Sequence, residues 1–147
     1  MLYIASDHRG FQLKKHLLTF IKTQLGKKIT DLGPKKYDKE DDYTKFSILL
    51  TQKVVSKKDN LGILICGTAH GVCMVANKIK GGRAIVGYSI EGAERGRQHE
   101  DANILCLAAD YLSNEHANAI VKKFLETKFD GLERRIRRNK IMADLEK

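Results

Sequence analysis

Short apolar runs alternate along this chain with amphipathic stretches. The runs are Leu2 to Ala5, Lys28 to Leu32, Leu61 to Cys66, Arg83 to Tyr88 and Ile104 to Ala108. Between them, apolar residues recur at helical spacing. Leu13, Leu17, Phe20, Ile21 and Leu25 form one stripe, closed by Gly26. Phe46, Leu49, Leu50 and Val54 form a second. Ala117, Ile120, Val121, Phe124 and Leu125 form another. Val72 to Lys78 and the polar segment Glu91 to Glu100 also read as helices. Buried strands joined by helices cannot pair as hairpins, so the pattern predicts a parallel sheet with helices on its faces. The fold class expected is α/β: an open, doubly wound, Rossmann-like sheet of five strands. A basic helix over Glu133 to Leu145 follows it. In such a sheet ligands bind outside the carboxyl ends of the strands.

The 147 residues, 42% hydrophobic, suffice for one core. With one proline and no polar linker, residues 1–147 are expected to form one domain. No apolar run approaches the ~20 residues that cross a bilayer. The opening Met1 to His8 lacks the basic stretch of a signal peptide, which makes a cytoplasmic location the default. Cys66, Cys73 and Cys106 are odd in number and lack CxxC spacing, which disfavours disulfides and a cysteine zinc site. The histidines form no metal-binding i, i+4 pair, so no metal and no cofactor are expected. A net charge of +9, crowded at Arg134, Arg135, Arg137, Arg138 and Lys140, suits anionic metabolites. Aromatics are sparse and no nucleic-acid-binding signature appears, so nucleic acid is disfavoured as a partner.

The chemistry-bearing stretch is Gly62 to Gly71, sequence GILICGTAHG. An apolar strand ends in Cys66 and feeds a helix through a glycine-bounded turn. Unpaired N–H groups and the helix dipole then point at one spot, which cradles an anion and favours a thiolate. The segment lacks the G-x-G-x-x-G spacing of dinucleotide folds. Thr68 stands where a P-loop requires lysine, which disfavours ATP hydrolysis. Asp7 and His8 follow the first strand and share that edge. His99 and Glu100 precede the last strand and must fold back to it to take part.

The ordered set of Ser6-Asp7-His8-Arg9-Gly10, Asp42-Tyr43, Gly62 to Thr68, Gly71, Ala76-Asn77-Lys78, Arg97-Gln98-His99, Asp101-Ala102-Asn103 and Phe129-Asp130-Gly131 resembles one family. It is that of type B ribose-5-phosphate isomerases and galactose-6-phosphate isomerase subunits. The resemblance covers nearly the whole chain. It implies a metal-free aldose–ketose isomerisation through an enediolate, with Cys66 as the base. Thr68 is implied in proton movement at the sugar oxygens and His99 in opening the furanose ring. Asp7 and Tyr43 are implied to contact the sugar and His8 to lie near the phosphate. The turn residues Gly67, Ala69, His70 and Gly71, with Glu100, are implied to face the substrate. Arg134 and Arg137 are implied to bind phosphate across a homodimer, or a tetramer of such dimers. Blander readings stay open: Asp7 as a helix cap, Tyr43 as a loop anchor, the arginines as a solvated face.

The chain departs from that family in several places. Ala69 replaces glycine, which matters if the turn needs positive φ. Cys73 replaces serine and Glu100 replaces asparagine. Asp110 and Glu133 stand where arginines are usual, while Arg137 matches the remaining one; either Arg134, Arg135 or Arg9 takes over at the phosphate, or the substrate differs. The expected substrate is ribose 5-phosphate. The alternatives are a hexose 6-phosphate, or an inactive relative that binds an anion or nucleic acid.

Overall fold

The computed structural model describes residues 1–147. Five strands appear in it: β1 (Leu2–Ser6), β2 (Thr30–Asp31), β3 (Leu61–Cys66), β4 (Ala84–Val86) and β5 (Ile104–Ala108). Six helices accompany them: α1 (Phe11–Thr23), α2 (Tyr43–Val55), α3 (His70–Asn77), α4 (Ile90–Glu100), α5 (Asn114–Glu126) and α6 (Glu133–Asp144). The strands form one parallel sheet in the order β2-β1-β3-β5-β4. The expected α/β class and its five parallel strands are therefore present. No helix is long and apolar enough to cross a membrane.

Side chains alternate across the sheet and divide the core in two. Ile4, Ile63, Ile65, Leu105 and Leu107 pack with α1, α5 and Ala93 of α4. Ala5, Leu64, Cys66, Ile104 and Cys106 pack with Phe46, Leu50 and Val54 of α2 and with Val72 and Ala76 of α3. The helix leaving β1 thus covers one face and the helix leaving β3 covers the other. These strands are neighbours, paired as Ser6↔Ile65. The crevice between diverging crossovers opens where β1 and β3 end.

Several boundaries differ from expectation; β4, for instance, holds only Ala84–Val86 of the expected Arg83 to Tyr88. β2 holds two residues, because Lys27 and Lys28 offer the sheet no apolar face. α2 starts at Tyr43, not Phe46, so Tyr43 is a helix residue and not a loop anchor. α3 starts at His70, two residues before Val72.

Candidate active site

Cys66 ends β3 and is almost enclosed, 5% exposed. Its sulfur accepts the Ala69 backbone N–H at 3.1 Å. Ala69 makes this possible by adopting φ 67°. The turn therefore keeps its left-handed residue without glycine, at a cost of about 1–2 kcal/mol. Thr68 is half-buried and His70 exposed beside it. A Cβ on Gly71 would lie 2.6 Å from the Tyr43 ring, so the helix start and the aromatic ring touch only because residue 71 is glycine. Gly67 is equally constrained: a Cβ there would lie 2.3 Å from Cζ of Arg9. Arg9 in turn pairs with Asp110.

Next to this turn, β1 delivers Asp7 and His8. Asp7 is 5% exposed and accepts the Gly10 N–H at 3.0 Å, closing the turn that leads into α1, while the helix itself begins after Gly10 without a side-chain cap. Burial pushes its carboxyl above the ordinary 3.8, more than the Gly10 hydrogen bond and His8 pull it down. His8 donates its backbone N–H to Asp41 Oδ1 at 2.9 Å, and its Nδ1 lies 2.7 Å from the same oxygen. Asp41 escaped sequence reasoning. It sits 33 residues away in a polar loop, and nothing local distinguishes it from the neighbouring acids. Atoms of Asp7, His8 and Asp41 that are able to ligate a metal lie within 4.8 Å of one another. One oxygen of Asp41 is committed to His8, and the other is buried without a partner.

The remaining expected residues lie elsewhere. A helix that follows a parallel strand runs back toward the amino edge of the sheet. α4 does so, and Asp101 at its end meets Arg83 at the head of β4. His99 and Glu100 therefore sit at the amino edge, a strand length of roughly 15–20 Å from Cys66 at about 3.3 Å per residue. They do not fold back to the carboxyl edge in their own chain. α6 lies against the same end of α4: Asn139 donates to the His99 carbonyl at 3.3 Å. Arg134 and Arg137 are exposed on it, while Arg135 pairs with Asp130. His99 is half-buried, with Nε2 enclosed and unpartnered. Burial first, then Arg135 and Arg95, hold its imidazole below the ordinary 6.5. A groove of about 900 Å³ also opens at this edge, among Lys58, Lys80, Arg83 and Arg97. It lacks the cysteine turn, so size alone would misplace the chemistry.

The other thiols behave differently from Cys66. Cys106 lies fully enclosed in β5, and burial raises its thiol well above 9.0. It is a core hydrophobe. Cys73 is half-buried, and hydrogen bonds from Cys106 and Asn77 hold it below that value.

Fold and site together define a doubly wound α/β protein in which a cysteine ends a strand before a helix, beside the switch point between β1 and β3. Such an arrangement suits proton transfer on a small anionic molecule. Residues 2–141 match the family model described as Ribose/Galactose Isomerase, and the chain belongs to that family. A probable ribose-5-phosphate isomerase B of Mycoplasma genitalium is 43% identical over 142 residues, covering 96% of this chain and 93% of that one. Ribose-5-phosphate isomerase B of Mycolicibacterium paratuberculosis is 34% identical, covering 99% and 91%. The crystal structure of the M. genitalium enzyme with bound ribulose-5-phosphate superposes with a TM-score of 0.94 at 42% identity, over 99% of this chain and 95% of that chain.

Proposed function

We propose that this chain interconverts ribose 5-phosphate and ribulose 5-phosphate, with Cys66 as the proton carrier. The supporting observation is the sulfur at the head of α3, fixed by the Ala69 N–H. Relatives at 43% and 34% identity carry the name ribose-5-phosphate isomerase B.

An imidazole first takes the proton from the anomeric hydroxyl and passes it to the ring oxygen as the furanose opens. The Cys66 thiolate then removes the C2 proton, leaving an enediolate. A proton moves from the C2 oxygen to the C1 oxygen, the step given to Thr68. Cys66 returns its proton to C1, completing the ketose. The Ala69 N–H serves the sulfur, which leaves other donors of the first turn of α3 for the enediolate oxygens.

His99 takes the ring-opening role from a second copy of this chain. Its distance from Cys66 within one chain supports this, and a two-fold dimer would set the amino-edge group of one copy against the carboxyl edge of the other. That group comprises His99, Glu100, Arg134 and Arg137, with the arginines directed at the phosphate. The surface of α6 suits a partner: it buries no residue, and Ile136, Ile141 and Met142 are 53%, 59% and 41% exposed.

The test is ketose formation from ribose 5-phosphate. Cys66→Ala should lower kcat by at least about 100-fold, the lower range for a general base, with the fold intact by circular dichroism. Turnover that survives this substitution removes Cys66 from the chemistry.

A further inference from the structure

We infer that Arg9, aimed by Asp110, is the guanidinium that the cysteine-bearing edge supplies to the substrate phosphate. The inference rests on the isomerase reading above and adds to it a residue which fixes the preference for a phosphorylated sugar.

The placement follows from alternation along the strand. Cys66 belongs to the face packed by α2 and α3. The next position, Gly67, would point a side chain to the opposite face. It has none, and the guanidinium of Arg9 fills that space: an added Cβ would lie 2.3 Å from Cζ, 2.4 Å from Nε and 2.7 Å from Nη1. The cation thus lies against the turn that carries the nucleophilic sulfur, on the other side of its backbone. A sugar bound by its C1–C2 end at Cys66 would extend its phosphorylated end past this turn.

Asp110 holds the guanidinium there. Its carboxylate pairs with Nη2 of Arg9, and its backbone N–H donates to the Gly67 carbonyl at 3.0 Å. Acid, cation and glycine turn are therefore tied together. Only Nη2 finds a partner in the chain, so the Nε and Nη1 donors remain for a ligand. The Arg9 side chain is 51% exposed. An ion pair this open adds little to stability, whereas an arginine pre-positioned beside a reactive turn loses less freedom when an anion binds. The other arginines lie on α4, on α6 or at the head of β4. None of those elements' arginines reaches this turn in its own chain, since Arg83, Arg97 and α6 lie at the amino edge.

The experiment compares wild type, Arg9→Gln, Arg9→Lys and the double variant Arg9→Gln/Asp110→Arg. Two readouts are used: steady-state turnover of ribose 5-phosphate, and calorimetric binding of inorganic phosphate. Arg9→Gln should raise KM about 10- to 100-fold, the range for one charged hydrogen bond, with kcat within about threefold. Phosphate binding should weaken in the same proportion. Arg9→Lys should recover part of the loss, and the double variant should recover more by returning a guanidinium to the same turn from position 110. A merely structural role would lower melting temperature without this KM–kcat split. Unchanged KM and unchanged phosphate affinity in Arg9→Gln would overturn the inference while leaving the isomerase reading intact. If wild type shows no turnover, that reading fails, and phosphate binding alone decides: dependence on Arg9 supports the assignment and independence overturns it.

Discussion

The surroundings of His99 act directly on its protonation. Burial and the arginines of α6 and α4 favour its neutral form. A neutral imidazole accepts the proton that ring opening releases. Its activity is lost as pH falls through the folded value, which lies below 6.5. The step of the kcat/KM profile due to His99 should therefore lie below pH 6.5, apart from any step set by the Cys66 thiolate, and His99→Gln should remove that step along with most activity. A profile that keeps the same steps in His99→Gln would remove His99 from this role. Cys66, Thr68 and the glycines could be read from the chain because one strand–turn–helix segment carries them all. Asp41 and the Arg9–Asp110 pair could not. Their partners lie 33 and 101 residues apart, and only the folded register of strand ends brings them together.

Among the secondary elements, α1 carries a buried charge. Lys14 is 1% exposed, yet its ammonium reaches Asp31 at the end of β2 at 2.8 Å and the Pro34 carbonyl at 2.6 Å. Burial lowers the Lys14 value. Burial also works to raise that of Asp31, but Lys14 and the Gly33 N–H outweigh it and hold the carboxyl below 3.8. The two-residue β2 is thus fixed less by its ladder than by this pair. Lys14→Met should cost about 2–4 kcal/mol at neutral pH, because Asp31 and the Pro34 carbonyl lose a buried donor. The folded carboxyl is the stronger acid, so its contribution is present above the unfolded value and disappears as pH drops through the folded one. Urea melts should show the mutational loss shrinking below about pH 4. A constant loss down to pH 2 would assign it to packing. The sequence stripe of α1 predicted its buried face but left Lys14 among solvated lysines, since periodicity does not reveal an acid at the end of another strand.

The whole molecule places its candidate site residues at two edges of one sheet. Asp7, His8, Tyr43 and Cys66 occupy the carboxyl edge; His99 and the α6 arginines occupy the amino edge. Co-producing Cys66→Ala and His99→Gln chains tests the shared site directly. Half of random dimers are mixed, and each mixed dimer has one site with both groups intact. Activity should recover to about a quarter of wild type from two nearly inactive parents. No recovery, with mixed dimers demonstrated by mass, would mean that both groups act from one chain. The fold class and strand number were readable because buried strands and amphipathic helices have distinct periods. The distance between the half-sites followed from a rule of direction: a crossover helix ends where the next strand begins. The strand order did not, because periodicity is silent about neighbours.

That order has a consequence for synthesis. β5 enters between β3 and β4, although it is the last strand made. Until Ala108 leaves the ribosome, Ile63 and Ile65 line an open ladder and β4 has nothing to pair with. The nascent chain thus carries an adhesive border from the completion of β3 at Cys66 to that of β5 at Ala108, and shielding by chaperones matters most during that interval.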